Sequence, residues 1–196
     1  MIRRLVSRER DQVREHLLRL DDEDRRLRFG GPVSPARIDA HCAELDPGRV
    51  LVLSYLVAGE ARGIGELRPL PGSWPRAAEA AISVERVFQG QGIGSALLRR
   101  LTLVARNRWI QRLHMLCLLD NGRMVRLARQ QDSRLRFAEG QVEASIELAW
   151  PTGWTVLEEV LGEAGVPAAK RPGGAWPACG ARWRRAPACA GGSSAA

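Results

Sequence analysis

Residues 84–100 read V-E-R-V-F-Q-G-Q-G-I-G-S-A-L-L-R-R, and their types and spacing could hold an anion. A β-type run at 80–84 leads into a glycine-studded turn, and the turn opens directly into an amphipathic helix. Glycines let backbone N–H groups approach a phosphate, and the first helical turn adds unpaired donors and the positive end of a dipole. The chemistry predicted is capture of a phosphate-bearing ligand. The plainer alternative is a strand–turn–helix connection whose glycines serve only tight geometry.

Two phosphate motifs can be tested against these residues. A P-loop requires Gly-Lys-Ser/Thr, but the one lysine of the chain is Lys170. A dinucleotide fingerprint started at Gly90 finds Gly92 in third place but Ser95 in sixth, and no Asp or Glu occurs between Glu85 and Asp120 to hold a ribose. What fits is Gln89-Gly90-Gln91-Gly92-Ile93-Gly94, a Gln/Arg-x-x-Gly-x-Gly/Ala pattern. It resembles the acetyl-CoA pyrophosphate loop of the GNAT superfamily of N-acetyltransferases. The resemblance implies that Gln89, Gly90, Gln91, Gly92, Ile93, Gly94 and Ser95 bind the cofactor, and that main-chain groups at Val84 orient the pantetheine arm and polarise the thioester.

The flanking elements must position that loop. Downstream, Ile93, Leu97, Leu98, Leu101, Val104 and Ala105 recur at helical spacing, with Arg99, Arg100, Arg106 and Arg108 on other faces. Those arginines could draw in the phosphates of CoA. Residues 113–118 form a nearly continuous apolar run, which predicts a strand buried on both faces. Asp120-Asn121-Gly122 breaks it, and a helix is predicted over 124–131. Asn121 falls where the resemblance implies an Asn beside the CoA arm; alone it would read as a turn or helix cap. Upstream, residues 2–6 suggest a strand, Ser7 a cap for a helix to Leu20, Asp21-Asp22 a cap for a helix to Phe29, and Ser34-Pro35 the start of a third ending near Leu45. Strands are predicted at 50–57 and 62–70, a loop at 71–75, a further strand through Glu79 and Val84, and a hairpin over 135–148 turning at Glu139-Gly140. The resemblance implies the order β-α-α-β-β-β-α-β-α-β-β over residues 1–149. The fold class expected is α/β (α+β): one GNAT-like domain with a mixed sheet of about seven strands flanked by helices.

The acceptor amine must lose a proton before it attacks, so a base is needed. Ala78-Glu79-Ala80-Ala81-Ile82-Ser83-Val84 is similar to the Ala-Glu-x-Ala-Val-x-Val strand of bacterial protein lysine acetyltransferases, which implies Glu79 as that base. By its residues alone, Glu79 could equally be an outward carboxylate on a half-buried strand. Asn121-Gly122-Arg123-Met124-Val125-Arg126-Leu127-Ala128-Arg129 resembles the same branch, although Asp132-Ser133 stands where Gly-Phe usually follows. Many members protonate the leaving thiolate with a Tyr seven residues after the Asn. Here that position is Ala128, and the one tyrosine is Tyr55, so water or spontaneous protonation of the thiolate would have to serve.

Composition narrows the function class. The 196 residues are 45% apolar, enough for one sizeable core. No apolar stretch has bilayer length and no signal peptide is indicated. Cys42, Cys117, Cys179 and Cys189 lack metal spacing, the histidines His16, His41 and His114 form no ligand trio, and a reduced cytoplasm without a metal cofactor is expected. The net charge of +8 is spread among interspersed signs, which argues against nucleic acid as the main partner. Expected partners are acetyl-CoA and an amine acceptor, a protein lysine or a small molecule, with no membrane and with room for a homodimer. A catalytically weak acyl-CoA sensor is the second reading, and a basic nucleic-acid module the third. Residues 150–196 read as an Ala/Gly/Pro/Arg-rich tail, largely disordered: from 162 onward Ala, Gly and Pro supply 22 of 35 residues. A short helix at 155–161, with Trp154 against the domain, is the one element expected there.

Overall fold

The computed structural model describes residues 1–46, 49–73, 76–131, 133–138 and 140–163. Lys170, Trp176, Cys179, Trp183 and Cys189 lie outside them, as do Asp132, Glu139 and the Trp74-Pro75 pair. Seven strands form one mixed sheet: β1 (Ile2–Arg4), β2 (Leu51–Val57), β3 (Glu60–Leu70), β4 (Ala77–Val84), β5 (Arg112–Leu118), β6 (Arg134–Ala138) and β7 (Gln141–Glu147), in the spatial order β1-β2-β3-β4-β5-β7-β6. The helices are α1 (Arg10–Arg19), α2 (Asp22–Phe29), α3 (Pro35–Ala43), α4 (Ile93–Asn107), α5 (Gly122–Arg129) and α6 (Gly153–Glu163). Three helices precede β2, one more than the implied order holds.

Helix starts follow local chemistry with one exception. Asp21 accepts from the Asp24 N–H at 2.8 Å, and Ser34 accepts from Arg37 ahead of a proline in the first turn. Ser7 does not cap: it opens a 3-10 turn, and Glu9 reaches back to the Val6 N–H while Arg3 clamps its carboxylate. That pairing outweighs slight burial and holds the Glu9 carboxyl at about 2.

One face of the sheet packs on α4 and α5. Leu97, Leu98 and Leu101 of α4 are fully buried against Ala78, Ala80 and Ile82 of β4 and Leu113 and Met115 of β5. Each such leucine contributes about 2 kcal/mol by burial. Gly65 of β3 lets α4 come close, because a Cβ there would lie 3.0 Å from Leu101 Cδ1. On the opposite face Val13 and Leu17 of α1 and Ile38 and Cys42 of α3 cover Val52, Ala61 and Ile64, while α2 lies against β4 and β5. Apart from the contact of α2 with β5, these helices leave β5, β7 and β6 uncovered on that side. β5 therefore alternates instead of being buried on both faces: Leu113, Met115 and Cys117 are buried, but Leu116 is 54% exposed. The apolar run came from one covered face and one open one.

α6 covers α4 at the C-terminal side. Arg100 donates to the Glu158 and Glu159 carbonyls, Arg108 pairs with Glu159 at 2.9 Å, and Arg106 donates to the Trp150 carbonyl. Of the four arginines read as phosphate-attracting, Arg100 and Arg108 thus dock the last helix and Arg106 the segment just before it. Trp154, expected against the domain, is 64% exposed.

Two buried ionic groups join the helices to the strands beneath them. Burial alone would raise the Glu66 carboxyl, but Arg28 (2.7 Å) and His41 (3.1 Å) overcome it and hold it at about 2. His16 of α1 is fully buried, with Nε2 2.9 Å from the Ser83 hydroxyl and Nδ1 3.4 Å from Glu85. Desolvation pushes its imidazole from 6.5 down to about 4 against the pull of Glu85. Below its ordinary value the unfolded chain binds a proton that the folded chain refuses until about pH 4, so stability falls as pH drops through that window. The expected loss is about 3 kcal/mol. Urea unfolding at pH 7 and pH 4.5 checks it: the stability difference should shrink in His16→Gln and remain in His41→Gln.

Candidate functional site

β4 and β5 run parallel, but for only three rungs: Ala77 with Arg112, Ala78 with Leu113 and Glu79 with His114. Beyond Glu79 the two strands separate. On the other edge β4 stays paired with β3 to its end, and the Glu85 N–H donates to the Arg62 carbonyl. In an antiparallel ladder alternate residues bond to the same neighbour. Ile82 and Val84 therefore turn their N–H and C=O groups away from β3 and into the gap. Backbone groups so placed need a partner.

A cleft of about 390 Å³ opens on that gap. Its walls come from Ile82, Ser83 and Val84 of β4, the turn from Phe88 to Gly90 and Gly92 to Ser95, Asn121 and α5, and Leu20, Asp24, Leu27 and Arg28 around α2. Gly90 and Gly92 have φ of +75° and +79°, a left-handed conformation that costs other residues about 1–2 kcal/mol. Gly92 is the N-cap of α4 and offers no side-chain oxygen, so the first N–H groups of that helix face the cleft without a cap. A Cβ on Gly90 or Gly92 would meet nothing within 4 Å, as expected where a ligand approaches.

Eight of the nine residues predicted to bind cofactor line this one cleft: Val84, Gln89, Gly90, Gly92, Ile93, Gly94, Ser95 and Asn121. Gln91 does not line it; it is exposed, and its amide donates to the Val87 carbonyl at 3.1 Å. Asn121 is a helix cap as well as a wall, since its Oδ1 accepts from the Met124 N–H at 3.1 Å. Gln89 is held by protein groups: its Nε2 donates to the Val84 carbonyl at 2.8 Å and to Asp24 at 3.0 Å, and its Oε1 accepts from Arg123. Asp24 also receives Arg123 at 2.7 Å. This cluster ties α2, the turn and α5 together and occupies the Val84 carbonyl, leaving its N–H toward the gap. Ser95 donates to Gln130 at 3.2 Å, closing the far side.

Sequence reasoning missed Asp24, Arg28, Arg123 and Arg126. Arg126 lines the cleft, and among the described residues its guanidinium has no hydrogen-bond or ion-pair partner. The signal was its recurrence with Arg123 at i,i+3, directly after Asn121. Glu79 lies outside the cleft lining, at the vertex where β4 and β5 part, about 10 Å along the strand from Ile82. It is exposed, and its side chain makes no hydrogen bond or ion pair among the described residues. Ala128, in the place of the expected tyrosine, is 1% exposed and packs into the core beneath α5. Among the described residues no group of three or more His, Cys, Asp or Glu could hold a metal, and no helix is long and apolar enough to cross a membrane.

Residues 14–132 match the profile of the Acetyltransferase (GNAT) family. The chain belongs to that family. Among solved structures, the GNAT domain of S. lividans PAT superposes with a TM-score of 0.65 at 23% identity, covering 75% of this chain and 89% of that one. Ribosomal-protein-alanine N-acetyltransferase from Brucella melitensis gives 0.56 at 16%, covering 74% and 96%. An N-acetyltransferase from Staphylococcus aureus Mu50 gives 0.56 at 17%, covering 76% and 96%. At these identities the likeness is one of fold. The sequence matches no curated protein.

The GNAT turn owes its shape to its glycines, and this can be measured without any ligand. Gly92→Ala should lose about 1–2 kcal/mol in urea unfolding, from the left-handed φ rather than from a clash. Gly94→Ala, which meets only the flexible end of Leu127 at 3.3 Å, should lose less or gain.

Proposed function

We propose that this GNAT acetyltransferase binds acetyl-CoA in the cleft between β4 and β5 and passes its acetyl group to a primary amine, carried by a protein lysine or a small molecule. One observation carries the reading: the free backbone groups of Ile82, the free N–H of Val84 and the uncapped start of α4 converge on a single cleft. A pyrophosphate at Gly90–Ser95 would meet the helix donors and the free guanidinium of Arg126. An arm running from there along Val84 and Ile82 would bond to their unpaired groups and carry the thioester toward the vertex. A backbone N–H aimed at the carbonyl oxygen stabilises the charge that develops on attack.

The acceptor then arrives from the uncovered side of β5, β7 and β6. Glu79 faces that side, as the anionic partner of an incoming ammonium and the first group its proton can reach. The cations lining the cleft other than Arg126 are spent internally, Arg28 on Glu66 and Arg123 on Asp24, and Arg19 and Arg62, outside the lining, are spent on Glu85. This favours a small anionic cofactor over a nucleic-acid backbone as the cleft's ligand. The buried Ala128 keeps one rival in view, an acyl-CoA sensor with little turnover.

Calorimetry with acetyl-CoA should give micromolar binding that Gly92→Glu abolishes, by filling the mouth and adding a like charge. Thiol release over a panel of amines should follow, and Glu79→Gln should lower kcat/KM about 10²-fold with acetyl-CoA affinity unchanged. Binding without turnover of any amine would leave the sensor reading; no binding would remove both.

A further inference from the structure

His114 of β5 is the rung partner of Glu79 in the last parallel pair before the strands part, so the two side chains lie side by side on the uncovered face, on strands about 4.8 Å apart. Its Nδ1 lies 2.9 Å from Glu143 Oε1 on β7, the neighbouring strand on the other side. The carboxylate holds the imidazole as the tautomer with hydrogen on Nδ1, and Nε2 is left with its lone pair. Among the described residues Nε2 has no hydrogen-bond partner, and the side chain is 25% exposed. The other charged groups on that face around it are Arg112 on its own strand, Glu147 on β7, Arg134 and Arg136 on β6, with Arg136 opposite Glu143, and Arg68 on β3 opposite Glu79. From α2, Arg26 reaches Asp120 just past the end of β5.

Building on the acetyltransferase reading, we propose that His114, oriented by Glu143, receives through Glu79 the proton that the acceptor ammonium must give up. The ammonium gives one proton to Glu79, which passes it to His114 Nε2, and the imidazolium is then stabilised by Glu143. The amine lone pair attacks the thioester carbonyl carbon, and the C–S bond breaks with its electron pair on sulfur. The second N–H proton goes to the thiolate. The products are amide, free thiol and imidazolium, which returns its proton to water. An imidazole is a stronger base than a carboxylate by about two pK units, so it retains a proton that a carboxylate would hand back. The scheme needs no tyrosine in the place of Ala128. Glu143 is a positioning residue in it.

The test uses the full chain and an amine that the wild type acetylates. His114→Gln should lower kcat about 10²-fold with acetyl-CoA affinity unchanged, and the acidic limb of its pH–rate profile should be altered. Glu143→Gln removes the carboxylate that orients the ring, so kcat should fall with acetyl-CoA affinity unchanged. His114→Ala should regain activity with added imidazole, a response that a purely structural role would not give. Variants with wild-type kcat and an unmoved limb, or no imidazole rescue, overturn the relay and leave the acetyltransferase intact. A wild type that binds acetyl-CoA but acetylates no amine overturns both.

Discussion

The structure depends on the brevity of the β4–β5 pairing. Three parallel rungs hold the two halves of the sheet together, and after Glu79 the strands part. A backbone N–H or C=O left unpaired inside a fold is costly, so the separation persists only because its surroundings enforce it. On one side, β4 remains locked to β3 as far as the Glu85 amide. On the other, β5 is bound along its whole length to β7. α4, packed across β3 and β4 with Gly65 beneath Leu101, sets its N-terminus at the opening. The GNAT cleft is thus a consequence of how two well-paired half-sheets meet.

Polar bonds then fix the cleft walls. The Asp24–Gln89–Arg123 cluster draws one residue each from α2, the turn and α5 to a common point. His16, Ser83 and Glu85 do the same between α1 and the end of β4. Buried networks of this sort favour one arrangement when every member is satisfied. Arg28 and Arg62 are exceptions, since the Nε of each is buried without a partner while Nη2 of Arg28 holds Glu66 and Nη1 of Arg62 holds Glu85.

Local chemistry was legible in the sequence, and long-range pairing was not. The turn from Gln89 to Ser95 could be found because its glycines mark left-handed backbone, and the α4 core face because six apolar residues repeat at helical spacing. Residue types along β5 could not say which neighbours cover it. The same apolar run serves a strand buried on both sides or one with Leu116 outward, and only the topology decides. Arginines near the turn in sequence proved to dock α6, whereas Arg126, separated from it by β5, reaches the cleft. The His114–Glu143 contact depends on register between β5 and β7, which no local pattern encodes.

Amide hydrogen exchange with and without acetyl-CoA tests the central claim most directly, because it reads the backbone groups on which the cleft is built. The account predicts that acetyl-CoA slows exchange at Ile82 and Val84 and at Ile93, Gly94 and Ser95, with little change in β1, β2 or α6. Saturating acetyl-CoA that leaves those five amides exchanging as in the free protein would contradict it.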